Sequence, residues 1–316
     1  MRPTIAEIRE AAKRIHPHVH RTPVFTCQSL NEQVGAEIFL KCENLQKVGA
    51  FKFRGACNAV FSLSAAEAAH GVVAHSSGNH AQALALAARL RGIPAYIVMP
   101  ANAPAVKRAA VAGYGGQITF CEPTLAARER VQEELAASTG ACVVPPYNDL
   151  RVIAGQGTAT LELLDELPDL QVVMAPVGGG GLLSGTAIAA TDSSAVIRVV
   201  GVEPEQADDA YRSLAAGRIV PSSDPQTIAD GLRASLGDLT FPIIQARVEQ
   251  IVTVSEAAIV AAMRFVWERA KLVIEPSAAV PLAALFERRI DLSGLRVGVI
   301  VSGGNLDLDR LPWQQT

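Results

Sequence analysis

Two observations predict an α/β fold with mainly parallel sheets: short apolar runs alternate with helical patterns, and those runs are too uniformly apolar to leave one face in water. The runs Glu37 to Cys42, Gly71 to His75, Ala95 to Met99, Gln117 to Cys121, Gln171 to Ala175, Val196 to Val202 and Val297 to Val301 read as strands. Helices lie between them, among them the alanine-rich Ala81 to Leu90 and the run Leu125 to Leu135. A length of 316 residues suggests two such units. The turn-rich joint Pro145-Pro146-Tyr147-Asn148-Asp149 closes a smaller β/α unit at residues 65–146, and residues 1–64 with 147–316 form a larger one. No repeat of fixed period and no low-complexity segment interrupts this plan.

Composition narrows the class of function. Hydrophobic residues make up 49% and charged residues 19%, which suits a globular chain with a large core. A net charge of −3 without a polybasic run, and aromatics at only 5%, favour neither nucleic acid nor a membrane surface as partner. A small molecule fits better. There is no apolar stretch of the roughly 18 residues that span a bilayer, and no basic start with an apolar core that would mark a signal peptide, so cytoplasmic residence is expected. Cys27, Cys42, Cys57, Cys121 and Cys142 are odd in number and lack metal-ligand spacing, which reads as reduced thiols. His16, His18 and His20 alternate, but Pro17 breaks the segment and no fourth ligand is evident, so a turn or extended surface piece is expected, not a zinc site.

The run Gly178-Gly179-Gly180-Gly181-Leu182 follows the apolar stretch Val172 to Ala175. A side-chain-free loop between a strand and a helix start presents several backbone N–H groups and the positive end of a helix dipole to one point, which suits a phosphate. A flexible connector is the alternative, although such linkers are usually polar and Ser-rich. The Lys-Ser/Thr of a P-loop and the spacing of a dinucleotide fingerprint are both absent, so the phosphate expected here is not that of a nucleotide. Lys52 lies between Phe51 and Phe53, where apolar flanks disfavour an ammonium; a neutral amine can attack an aldehyde to form a Schiff base, while a solvated surface charge is the commoner fate of a lysine. His75-Ser76-Ser77-Gly78-Asn79-His80 follows a strand and opens a helix, as a second anion site for a substrate carboxylate or as a simple cap by Ser77 or Asn79. Ser302-Gly303-Gly304-Asn305 follows the last strand, where a tight turn and a ligand site are equally consistent with the residues. Glu203-Pro204-Glu205-Gln206-Ala207-Asp208-Asp209 concentrates oxygen ligands of the kind hard cations take, or places acidic residues in a helix's first turn.

In that order along the chain, Lys41-Cys42-Glu43-Asn44-Leu45-Gln46, Ala50-Phe51-Lys52-Phe53-Arg54-Gly55-Ala56, Ser76-Ser77-Gly78-Asn79-His80, Ala154-Gly155-Gln156-Gly157-Thr158, the tetraglycine run and Glu275-Pro276-Ser277 resemble the fold-type II pyridoxal-phosphate enzymes (tryptophan synthase β-like), and within them the serine/threonine dehydratase and serine racemase family. The sulfur-assimilating branch of that fold uses a glycine-threonine phosphate loop instead. With no regulatory domain after Thr316, the resemblance is to the catabolic form. It implies that Lys52 carries pyridoxal 5′-phosphate as a Schiff base, that Phe51 packs on the pyridine ring and that Asn79 bonds the ring hydroxyl. Gly178, Gly179, Gly180, Gly181 and the amide of Leu182 would hold the phosphate, and Ser302 would face the pyridine nitrogen. A neutral hydroxyl there leaves the cofactor a weaker electron sink and favours prompt loss of a β-substituent. Ser76, Ser77, Asn79 and His80 would receive the substrate, Ser77 would reprotonate Cα, and Arg128 would clamp a carboxylate from the small domain. Glu203, the carbonyl of Ala207 and Asp209 would hold Mg²⁺, Mn²⁺ or Ca²⁺. Lys47 and Gln82 match positions near a nucleotide effector site, and a homodimer is implied.

Two positions depart from the family pattern: Ala50 replaces a serine two positions before the lysine, and Ala234 stands where serine racemases tend to carry a serine facing the substrate. The resulting expectation is β-elimination from L-serine or L-threonine to a 2-oxo acid and ammonia. Serine racemisation and threo-3-hydroxyaspartate ammonia-lyase activity are the alternatives within the family. A non-catalytic protein binding a phosphate ligand is the alternative from another class.

Overall fold

The computed structural model describes residues 3–194 and 196–314. Two sheets organise them. One is six-stranded in the order β1-β2-β10-β7-β8-β9, with β1 Val24–Thr26, β2 Glu37–Cys42, β7 Val172–Pro176, β8 Arg198–Pro204, β9 Gln250–Val254 and β10 Arg296–Val301. The other is four-stranded in the order β5-β4-β3-β6, with β3 Val72–His75, β4 Ala95–Pro100, β5 Gln117–Cys121 and β6 Cys142–Val143. The pairs are parallel except β1 with β2, the mainly parallel α/β arrangement expected from the uniformly apolar strands. Along β2 and β10 the register aligns Val297 with Ile38 and Val301 with Cys42, and both strands end at the same level. No helix among the described residues is long and apolar enough to cross a membrane.

Several boundaries differ from the sequence reading. β8 starts two residues later than expected and runs through Pro204, so Glu203 lies within the strand and not after it. β1, β6 and β9 were not expected as strands; all three lie at sheet edges. The helix over 79–91 begins at Asn79, two residues ahead of Ala81, and the helix from Leu125 extends to Thr139. Lys52 does not directly follow a strand: two short 3₁₀ turns, Glu43–Leu45 and Lys47–Gly49, separate it from β2.

Close backbone packing places the helices that carry the site. A Cβ on Gly155 would lie 2.6 Å from the Arg54 carbonyl, and one on Gly185 would lie 2.5 Å from the Gly157 nitrogen. The helix Leu150–Glu166 is therefore wedged in backbone contact between Lys52–Phe61 and Gly181–Ser193, and the Gly55 N–H donates to Gln156 Oε1 at 3.1 Å. That contact explains the glycines of Ala154-Gly155-Gln156-Gly157-Thr158 sterically, because any side chain would push the two site-bearing helices apart.

A buried ion network fixes the same region. Arg54 has no exposed surface; its guanidinium meets both oxygens of Glu43, at 2.7 and 2.9 Å, and both oxygens of Glu162, at 2.8 Å each. Lys41 Nζ closes the network on Glu162 at 2.7 Å and on the Thr22 carbonyl at 2.7 Å. Two cations face two carboxylates, so charge balances inside the core, and strand β2 is tied to the helices Lys52–Phe61 and Leu150–Glu166.

Candidate active site

β2, β10, β7 and β8 are consecutive neighbours in the large sheet; the segments leaving the first three carry Lys52, Ser302 and the tetraglycine run, and the carboxyl end of β8 with the segment after it carries Glu203 and Asp209. The carboxyl edge is where an open parallel sheet gathers ligands. Topology alone thus brings together residues that lie up to 250 positions apart in sequence (52 to 302).

Lys52 is the first residue of its helix. Its Nζ donates to the Pro146 carbonyl at 2.8 Å and sits 5.0 Å from the centroid of the Phe51 ring. Burial pulls this amine down to about 8, and the charge of Glu275 opposes that only in part. Phe51 and Lys52 are clipped to the end of β10: the Phe51 N–H donates to the Ser302 carbonyl at 3.0 Å, and Ala50 bridges Gly303. Ser302 is 2% exposed.

The tetraglycine run has no room for side chains. A Cβ on Gly179 would fall 2.3 Å from Cδ1 of Tyr147, one on Gly178 would lie 2.9 Å from the Leu232 Cα, and one on Gly181 would lie 2.9 Å from Tyr147 Cβ. Gly180 adopts φ +87°, a conformation that favours glycine, and caps the helix Gly181–Ser193 without any side-chain hydrogen bond. The first amides of that helix are therefore left for an external anion.

At the end of β3 the arrangement repeats. Gly78 is the helix cap and supplies no side chain, so neither Ser77 nor Asn79 acts as the cap. Asn79, the first helical residue, turns its amide aside: Nδ2 donates to Glu275 Oε1 and Oε2 at 3.0 and 3.2 Å, and Oδ1 accepts from Asn305 Nδ2 at 2.9 Å. Ser76 Oγ accepts from the Gly78 N–H at 3.3 Å. Glu275 is 5% exposed and also accepts from the Asn305 N–H at 3.0 Å; burial, with the charge of Asp230 adding to it, pushes its carboxyl up to about 7. The His80 side chain points away from this turn, with Nε2 on the Val144 carbonyl at 2.8 Å, so its backbone N–H is what it offers a carboxylate.

Arg128 is not drawn into this cluster. It is half-exposed on the helix Leu125–Thr139, and its Nε donates to the carbonyl of Thr124 at 3.3 Å in the same helix. Its charge reaches His75, beside Ser76: burial, then Arg128, hold that imidazole below its ordinary value.

Glu203 and Asp209 are both fully buried. Glu203 accepts from the N–H groups of Ala210 and Tyr211 at 3.1 and 2.8 Å, whereas neither oxygen of Asp209 has a partner. Burial, reinforced by Asp209, raises the Glu203 carboxyl well above its ordinary value, and burial raises Asp209 to about 6. A buried carboxylate with both oxygens unpaired fits a cation, since a buried charge otherwise stays costly. Among the described residues no three His, Cys, Asp or Glu side chains are grouped to hold a metal, so a backbone carbonyl such as that of Ala207 would have to complete the set. Lys47 stands 5.9 Å from the Phe53 ring centroid and Gln82 is buried.

Four contributors were not assigned roles from sequence. Pro146 and Tyr147 read there as a joint, and Glu275 and Asn305 as parts of short motifs. The one usable signal was Glu275: an acid directly before Pro276 at a helix start, following the apolar run Leu272-Val273-Ile274. A half-buried low-pKa amine, an anion-receptive glycine loop and a second uncapped helix start fit a phosphate-bearing aldehyde together with a carboxylate.

Comparison with known proteins agrees with this chemistry. The chain is 52% identical to a beta-hydroxyaspartate dehydratase of Paracoccus denitrificans over 98% of its own length and 99% of the relative's. It is 48% identical to an L-threo-3-hydroxyaspartate ammonia-lyase of Saccharomyces cerevisiae, covering 98% of this chain and 96% of that one. The solved structure of maize serine racemase superimposes with a TM-score of 0.97 at 47% identity, over 100% of this chain and 97% of that one. Residues 15–303 match the family described as pyridoxal-phosphate dependent enzyme, and the chain belongs to that family.

Proposed function

We propose that this enzyme removes water and then ammonia from a β-hydroxy α-amino acid, with L-serine or L-threonine as substrate and a 2-oxo acid as product. The observation that carries the reading is the half-buried Lys52, whose amine, lowered to about 8, donates to the Pro146 carbonyl beside Tyr147, the residue that packs on Gly179 and Gly181. When bound, pyridoxal phosphate withdraws electrons from Cα of the amino acid whose nitrogen it holds. Lys52 would anchor the cofactor and, once freed, take the Cα proton at Nζ, which an amine near pH 8 does readily. Phe51 would cover the ring, Asn79 would meet the ring hydroxyl, Gly178 to Gly181 with the Leu182 amide would hold the phosphate, and Ser302 would face the ring nitrogen. The uncapped amides from Gly78 to His80, with Ser76 and Ser77, would take the carboxylate. The β-hydroxyl leaves as water, and addition of water to the unsaturated product then releases ammonia.

The Paracoccus and Saccharomyces relatives favour a second substrate, 3-hydroxyaspartate, with Arg128 moving onto its extra carboxylate. The likeness to serine racemase supports a racemase side reaction in which Ser77 reprotonates Cα. The same reading includes a divalent cation (Mg²⁺, Mn²⁺ or Ca²⁺) at Glu203, Ala207 and Asp209, a homodimer, a nucleotide effector near Lys47 and Gln82, and cytoplasmic residence. It also treats residues 65–146 as a small domain against a large domain of 1–64 and 147–316. Incubating L-serine, D-serine, L-threonine and threo-3-hydroxyaspartate with the holoenzyme, and following both oxo-acid release and chirality, tests the reading. Oxo-acid from at least one β-hydroxy substrate supports it; conversion of none of them overturns it.

A further inference from the structure

The segment Val144-Pro145-Pro146 joins the small sheet to the helix Leu150–Glu166 of the large one, and its two prolines have no N–H. It can be held only from outside, through its carbonyls and the single Val144 N–H, which donates to the Val73 carbonyl at 3.0 Å. Two side chains take the carbonyls. His80 Nε2 meets Val144 at 2.8 Å, and Lys52 Nζ meets Pro146 at 2.8 Å.

The state of His80 follows from its surroundings. A carbonyl only accepts, so Nε2 must carry the proton and Nδ1 is left bare. Nδ1 is buried without a partner, and the residue is 2% exposed. Protonation would strand a charged donor there, next to the Lys52 ammonium. Burial, then that lysine's charge, push the imidazole down to about 3, while His75 and Asp149, the other titratable groups acting on it, act more weakly and in opposite directions. Leaving a buried acceptor unmet is costly, and Nδ1 has no contact that compensates for it.

We propose that His80 is a positioning residue for Lys52: its Nε2–H bond to Val144 fixes the diproline segment whose Pro146 carbonyl receives the lysine amine whenever that amine is free. An imidazole suits this task because it is a rigid donor that stays neutral at working pH, whereas a lysine or arginine would set a second cation beside Lys52. Glu275, the cap of the helix Pro276–Phe286, is held in place by Asn79 and Asn305, and its charge acts on the same amine. The inference rests on the reading of Lys52 as the reacting amine.

The test compares His80→Leu, which removes the donor, with His80→Gln, which keeps an N–H the same number of bonds from Cβ. In the apoprotein, the pH dependence of Lys52 acetylation by acetic anhydride is read by peptide mass spectrometry. In the holoenzyme, kcat and KM are read separately. His80→Leu is expected to lower kcat about tenfold or more while KM changes less than about threefold, and to displace the Lys52 labelling curve. His80→Gln is expected to recover most of both losses. A His80→Leu protein with the wild-type labelling curve and kcat overturns the proposal, and so does a folded His80→Gln protein as impaired as His80→Leu. Should His80→Leu not fold, ¹⁵N spectra of the wild-type apoprotein decide: a neutral ring protonated on Nε2 from pH 5 to 9 supports the proposal, and an Nδ1–H ring or a titration in that interval overturns it. Turnover and a cofactor absorbance band that survive in Lys52→Ala would instead remove the reading on which it rests.

Discussion

Replacing Arg54 by methionine removes the cation at the centre of the buried network while keeping a long apolar stem in the core. Glu43, with no exposed surface, would retain only the Thr22 hydroxyl at 2.6 Å; Glu162, 15% exposed, would retain Lys41 at 2.7 Å. One buried carboxylate is thereby left without a counter-charge, a change that costs about 3–5 kcal/mol when one partner of a buried pair is lost. At roughly 2 °C per kcal/mol for a chain of this size, the thermal midpoint of the holoenzyme should fall by about 6–10 °C. The double variant Arg54→Met/Glu43→Gln restores charge balance, so it should be less destabilised than the single one. The network also has a pH signature. Burial pushes the Glu162 carboxyl up, but the hydrogen bonds and charges of Arg54 and Lys41 outweigh it and hold it below its ordinary 4.5. A lowered carboxyl stabilises the fold above its unfolded value and loses that contribution as pH falls through the folded value, so the deficit of Arg54→Met should shrink on acidification. A midpoint within about 2 °C of wild type at neutral pH, or a double variant less stable than the single, would refute the reasoning.

Other outcomes follow from the same geometry. Gly179→Ala puts a methyl 2.3 Å from the Tyr147 ring, and the apoprotein should bind pyridoxal phosphate at least about tenfold more weakly in equilibrium dialysis. Because the charge of Glu275 raises the Lys52 amine, Glu275→Gln should move the acid limb of the kcat profile, expected near pH 8, to lower pH; an unmoved limb would separate the two groups. Mg²⁺, Mn²⁺ or Ca²⁺ at about 100 times its dissociation constant should stabilise the protein by about 2.7 kcal/mol, and Asp209→Asn should abolish the gain in a thermal melt with and without chelator. Ser77→Ala should retain oxo-acid release and lose any interconversion of L- and D-serine, followed on a chiral column.

The fold class was readable because β2, β7, β8 and β10 each carry an apolar run of three residues or more, interrupted only by charges at or near the strand ends (Glu37, Lys41, Arg198, Glu203 and Arg296). The strands that escaped reading are edge strands. β1 and β6 have three and two residues, and β9, Gln250-Ile251-Val252-Thr253-Val254, is interrupted by Gln250 on one face and Thr253 on the other, so none shows a long unbroken apolar run. Lys52, the tetraglycine loop and the Ser76–His80 turn were legible because each breaks a local rule: a charge between aromatics, four glycines in a core, hydroxyls at a helix start. Pro146, Glu275 and Asn305 obey local rules and acquire their roles only through contacts with residues 94, 196 and 226 positions away. Arg128 shows the converse: a residue assigned by resemblance lies on its own helix, turned to Thr124.

Borohydride reduction of the purified holoenzyme, followed by peptide mass spectrometry, bears most directly on the central claim. The Lys52 amine should carry the reduced pyridoxyl phosphate adduct, and no other lysine should. An adduct on a different lysine, or none on Lys52 in protein that turns over substrate, would contradict the account.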